Sequence, residues 1–142
     1  MTQQFRPIFL VEDNPIDLDL AQRAFARRKI TNPIEVARDG EEALNWFERW
    51  EKGAPVPVVI LLDLKLPKVD GLDVLRYLKT HPVFQAIPVV VLTTSAEERD
   101  IARAYQRGAN SYIVKPVDFD QFTQVIDQVE RYWCNLNLFP VL

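Results

Sequence analysis

One cysteine, one histidine and four glycines are all that 142 residues hold of these types. A single cysteine, Cys134, cannot close an internal disulfide, which suits a reducing cytoplasm. A single histidine, His81, excludes a multi-histidine metal site within one chain; standing before Pro82 in an expected loop, it reads as a plain surface residue. Gly40, Gly53, Gly71 and Gly108 are isolated from one another, so no glycine-rich nucleotide loop can be drawn. No apolar run approaches the roughly 18 residues needed to cross a bilayer. The opening MTQQFRP lacks the basic region and apolar core of a secretory signal. A net charge of −3 gives no electrostatic reason to expect nucleic-acid binding. What is present is 48% hydrophobic and 26% charged residues, the balance of a soluble globule, in a chain sized for one domain with a proper core.

The apolar residues are organised in two alternating ways. Three runs begin with proline and are then almost wholly aliphatic: PIFLV (7–11), PVVIL (57–61) and PVVVL (88–92). Proline is tolerated at the first residue of a strand, and continuous β-branched and leucine runs mark strands buried on both faces, as in parallel sheets. IEVA (34–37) and SYIV (111–114) are two weaker strands. Between them lie helical stripes: Leu18, Ala21 and Phe25, after an Asn14-Pro15 helix start; Ala43, Trp46, Phe47 and Trp50; Leu72, Leu75 and Leu78; Ile101, Ala104 and Tyr105; and Phe122, Val125, Ile126, Val129 and Trp133. The aromatics among them are expected to be core. Strand and helix alternate five times, which predicts an α/β fold: a single-domain, doubly wound, five-stranded parallel sheet of flavodoxin-like order 2-1-3-4-5. In such sheets ligands bind beyond the carboxyl ends of the strands.

Four of those ends carry chemistry. The first leads into Glu12 and Asp13, the third into Asp63, the fourth into Thr93 with Thr94 and Ser95 behind it, and the fifth into Lys115-Pro116. Any one of these alone would read as a solvated strand-end residue; their convergence on one rim is the signal. Two like charges 4 Å apart repel by about 4 kcal/mol at a near-surface dielectric, and Lys115 offers one positive charge against three acids. Hard oxygen ligands suit Mg²⁺. A metal, an ammonium and a hydroxyl together suit a phosphoryl group, and one carboxylate can then serve as nucleophile. Asp63 is the candidate, because it leaves the central strand alone, whereas Glu12 and Asp13 form a pair fit to hold metal.

These segments resemble the receiver domains of two-component response regulators over roughly residues 5 to 130: VED, LLDLKLPKVDG, LTTSA and YIVKP. The intervals agree with that family too, 30 residues from Asp63 to Thr93 and 22 from Thr93 to Lys115. The resemblance implies that Asp63 accepts phosphate from a histidine kinase. It implies that Asp13 binds Mg²⁺ directly, Glu12 acts through water, and the Lys65 backbone carbonyl completes the protein ligands. It further implies that Thr93 and Lys115 contact the phosphoryl group, that Tyr112 is an aromatic switch following Thr93, and that the Lys115–Pro116 bond is cis. Leu66 and Val69 depart from the common methionines, and Lys65 puts a cation beside the site, where it is expected to influence phosphoryl lifetime.

About a dozen residues follow the last helical stripe, fewer than the roughly 50 of a domain, so a stand-alone receiver signalling by protein contact is expected. The tail YWCNLNLFPVL (132–142) is strongly apolar. Residues 131–142 are read as an extension that joins the last helix in a symmetric homodimer, with folding back onto the chain's own sheet as the alternative. This extension and DLKLPKVDGLDVLRYLK resemble small regulators partnered with phytochrome-type histidine kinases. Two rivals remain: a degenerate receiver acting as a constitutive scaffold, and an aspartyl-phosphate phosphatase of the haloacid dehalogenase type. The second requires an acid two residues after the nucleophile, where this chain has Lys65.

Overall fold

The computed structural model describes residues 5–142; residues 1–4, the start of the MTQQFRP segment, lie outside the described residues. Five strands, β1 (Ile8–Val11), β2 (Ile34–Ala37), β3 (Val59–Leu62), β4 (Val89–Thr93) and β5 (Ser111–Val114), alternate with five helices: α1 (Pro15–Arg27), α2 (Gly40–Glu51), α3 (Gly71–Thr80), α4 (Glu98–Gln106) and α5 (Phe119–Glu130). All strand pairs are parallel and the order is 2-1-3-4-5, as the alternation predicts.

The prolines stand one or two residues ahead of the strands rather than inside them. Proline has no N–H for the ladder, yet its carbonyl still accepts: Pro7 O takes the Val58 N–H, and Pro88 O takes the Ile60 N–H. Side chains alternate across the inner strands. Phe9, Val11, Ile60, Leu62, Val89 and Val91 face α2, α3 and Ala104 of α4. Ile8, Leu10, Val59, Leu61, Val90 and Leu92 face α1 and α5. The inner strands are buried on both faces, while β2 and β5 are half-covered edges. That is why their sequences are the less apolar ones.

Most stripe residues enter these two layers, but Tyr105 does not. It is 50% exposed, and only Ala104 of its stripe is fully buried. His81 also departs from the plain surface reading. Its Nδ1 accepts the Val83 and Phe84 N–H groups at 3.1 Å each, and its ring stacks on Phe84. It therefore fastens the turn between α3 and β4. After α5 the chain widens into a π-helical segment, Arg131–Leu136. Cys134 is buried there, and Phe139 packs against both hydrophobic layers with the Arg6 guanidinium over its ring. Leu136, Leu138 and Val141 point outward. The tail is thus folded back in part, through Cys134 and Phe139, and exposed in part.

Candidate functional site

Strand register brings the site together. Val11 lies opposite Leu62, and Thr93 opposite Val114, so the residues that follow emerge level with one another. Backbone bonds continue the ladder past the strand ends: the Asp63 N–H donates to Val11 O, Glu12 N–H to Ala37 O, and Lys115 N–H to Thr93 O. The rim is therefore a stiff platform, and the side chains on it are positioned by sheet geometry rather than by loops.

Glu12, Asp63, Thr93 and Lys115 are buried, while Asp13 is exposed. Lys115 Nζ stands 2.6 Å from Glu12 Oε1 and 3.1 Å from Asp63 Oδ2. The other Asp63 oxygen accepts the Lys65 N–H at 3.2 Å. Glu12 Oε2 accepts the Asn14 N–H at 3.1 Å. Thr93 Oγ1 is fully buried and has no hydrogen-bond partner among the described residues. A buried hydroxyl in that state costs about 1–3 kcal/mol, which a ligand oxygen would recover. Tyr112 donates its hydroxyl to the Ser95 carbonyl at 2.8 Å, so the ring is tied to the loop that leaves Thr93.

One expectation changes. No cis peptide bond occurs among the described residues, so Lys115–Pro116 is trans. The Lys65 side chain is exposed, so its backbone N–H, not its ammonium, is what meets Asp63. The sequence reading also missed one member of the site. Asp17, on the first turn of α1, reaches Lys115 Nζ at 2.9 Å. An acid there reads in sequence as a helix-dipole partner; only the 98-residue pairing across the fold assigns it otherwise.

The electrostatics are those of a site short of positive charge. Burial, followed by the Asp63 charge, pushes the Glu12 carboxyl up to about 7 even with Lys115 beside it. Burial works to lower Lys115, yet the Glu12 hydrogen bond, the Asp63 and Glu12 charges and the Asp17 bond outweigh it and raise that ammonium above its ordinary value. Carboxylate oxygens of Glu12, Asp13 and Asp63 lie within 4.8 Å of one another. Three hard donors at that spacing, undercompensated by one lysine, fit a metal ion.

Residues 8–127 match the response regulator receiver domain family. The chain belongs to that family. Among its relatives is the probable methanogenesis regulatory protein FilR2 of Methanothrix harundinacea, 44% identical over 134 residues, which cover 94% of this chain and 86% of that one. The response regulator Rcp1 of Synechocystis is 35% identical over 135 residues, 94% of this chain and 92% of its own. The receiver also superposes on the phosphorylated cyanobacterial phytochrome response regulator RcpA with a TM-score of 0.91 and 39% identity, over 96% of this chain and 99% of that one. The Mn²⁺-bound form of Rcp1 gives a TM-score of 0.89 at 34% identity, with 96% and 99% coverage. The receiver is thus a phosphoacceptor signalling protein. Among the described residues, no helix is long and apolar enough to cross a membrane.

Proposed function

We propose that Asp63 accepts a phosphoryl group from a phytochrome-type histidine kinase in the cytoplasm, and that the receiver passes the signal on by protein contact. The observation that carries this reading is the orphaned, fully buried Thr93 hydroxyl, on the rim where Asp63 and Lys115 meet at 3.1 Å. A phosphoryl oxygen is the partner that hydroxyl lacks. In the transfer, an Asp63 carboxylate oxygen bonds to phosphorus as the phosphorus–nitrogen bond to the kinase histidine breaks, and the electron pair leaves with the imidazole. Lys115 holds one phosphoryl oxygen and Thr93 another. Glu12, Asp13, Asp63 and the Lys65 carbonyl would hold Mg²⁺, which when bound neutralises charge on the transferring oxygens. As Thr93 turns toward the phosphoryl group, Tyr112 follows it and carries the change to the surface. The receiver acts on no separate substrate: self-catalysed phosphotransfer and autodephosphorylation are its chemistry.

Intact mass after incubation with Mg²⁺ and acetyl phosphate tests the acceptor. Wild type gains one phosphoryl adduct and Asp63→Asn gains none; an equal adduct on the variant moves the acceptor elsewhere. Purified kinases test the donor. The likeness to RcpA and Rcp1 favours a phytochrome. FilR2, whose name points to methanogenesis instead, is 44% identical, so histidine kinases other than phytochromes belong in the same panel.

The receiver, residues 5–130, carries residues 131–142 as an extension that joins α5 in a symmetric homodimer. Leu138 is 89% exposed and Val141 96%, a pair of aliphatic side chains that a second copy would cover. Deleting the tail would also strip Phe139 from the core, so the cleaner test is Leu138→Glu with Val141→Glu. Sedimentation should then report a folded monomer; an unchanged dimer refutes the role given to the tail.

A further inference from the structure

The Lys115 ammonium has three hydrogens and three carboxylate neighbours. Glu12 Oε1 lies 2.6 Å from Nζ, Asp17 Oδ2 2.9 Å and Asp63 Oδ2 3.1 Å. An ammonium has three donors and no acceptor, so each hydrogen is committed. A phosphoryl oxygen arriving at this lysine finds none of them free. One carboxylate has to let go first.

We propose that Asp17 is a positioning residue that restrains Lys115 in the unphosphorylated receiver and so limits how readily the site takes up a phosphoryl group. The proposal rests on the phosphoacceptor reading given above. Asp17 is placed for this by the start of α1. Asn14 Oδ1 accepts the N–H groups of both Ile16 and Asp17, and Pro15 opens the helix, so the first turn is fixed over the strand ends. The Asp17 side chain is 22% exposed, and it lines a cavity of about 20 Å³ with Glu12 and Asp63 above Leu10, Leu61 and Leu92. That space holds about one water, so the three carboxylates stand close around the ammonium with little room between them. The ordinary account of an acid on a first turn is that it favours the helix dipole. That account requires no contact with β5, and the carboxylate is instead spent on Lys115.

The Asp17 charge acts twice in this arrangement. It draws on the lysine charge that the phosphoryl group needs, and it holds a hydrogen that the phosphoryl group would otherwise bond. Removing the charge while keeping the shape should loosen both holds.

Beryllofluoride with Mg²⁺, followed by ¹⁹F NMR, is the probe. Asp17→Asn should lower the half-saturating concentration about tenfold, the scale on which one charge within 4–6 Å shifts an ionic equilibrium. Asp17→Glu should return it toward wild type. In a Lys115→Gln background the Asp17→Asn gain should vanish, because the effect runs through the ammonium. Unchanged or weaker binding in Asp17→Asn, or a full gain that persists without Lys115, overturns the proposal. A metal-free readout is the ¹⁵N relaxation of the Lys115 ammonium, whose mobility should rise in Asp17→Asn; unchanged mobility also overturns it. If wild type itself binds no beryllofluoride, the phosphoacceptor reading falls, while the ammonium measurement still decides whether Asp17 holds Lys115.

Discussion

Two lysines sit at opposite ends of the sheet, each with three oxygen partners, and their electrostatics run in opposite directions. At the carboxyl end, Lys115 meets three carboxylates. At the amino end, Lys79 of α3 donates to the Gln85 carbonyl at 3.0 Å, the Ile87 carbonyl at 2.7 Å and Asn110 Oδ1 at 2.9 Å, all neutral. Burial pulls the Lys79 ammonium down to about 8. The same burial at Lys115 is outweighed by its anionic partners. Lys79 is a pin: it ties the last turn of α3 to the chain entering β4 and, through Asn110, to the start of β5. Asn110 also accepts the Val89 N–H with that same oxygen. Lys115 is held where negative charge is in surplus, the placement that the proposed phosphoryl contact requires. The number of hydrogen bonds does not separate the two lysines; the charge of the acceptors does.

The comparison breaks most visibly by removing each cation in turn. Lys115→Met leaves three carboxylates without their ion, and urea unfolding at pH 8 should show a loss of about 3–5 kcal/mol. That loss should shrink toward pH 5, where carboxylates take up protons. The same variant should take up phosphoryl groups on the order of a hundredfold more slowly, the usual effect of deleting one charge from a transition state.

Lys79→Met should cost only about 1–2 kcal/mol, because neutral carbonyls left behind are less costly than stranded anions. Its phosphoryl adduct should form at the wild-type rate. A large drop in that rate would mean that the two ends are coupled and that Lys79 is more than a pin.

The smallest effect sharpens the comparison by sign. The folded Lys79 ammonium is depressed to about 8 from 10.5, so between those values the unfolded chain binds more protons and stability rises with pH. Below pH 8 both states carry the proton and that contribution is flat. Wild-type stability minus that of Lys79→Met should therefore increase across pH 8 to 10.5. A decreasing difference would mean that the three neutral oxygens hold the ammonium more firmly than burial opposes it.

The fold was legible because burial leaves a strong trace. β1, β3 and β4 are covered on both faces, so every position but the closing Thr93 of β4 is apolar. The site was legible for a related reason: Glu12 and Asp63 each follow an unbroken apolar run, and Lys115 follows Val114, so the strand end locates the residue. Asp17 was not legible, since nothing near it in sequence distinguishes it from Asp19, which pairs instead with Arg23 on the same helix. Tyr105 has the spacing of a core residue and faces out, because helical period fixes which residues share a face but not how wide the buried face is. The orphaned Thr93 hydroxyl is a property of three-dimensional neighbours, and no local pattern encodes it; the His81 fastening is local, made to Val83 and Phe84 two and three residues on.

Phe139 adds something to the design of the whole chain. Its ring meets both hydrophobic layers near Arg6, while residues on either side of it point outward. Phe139 therefore anchors the far end of the tail, beyond the Trp133 and Cys134 that seat its start. Leu138 and Val141 lie outside that anchorage, so the face the tail shows to solvent can vary in chemistry while the same ring keeps the end of the chain in place.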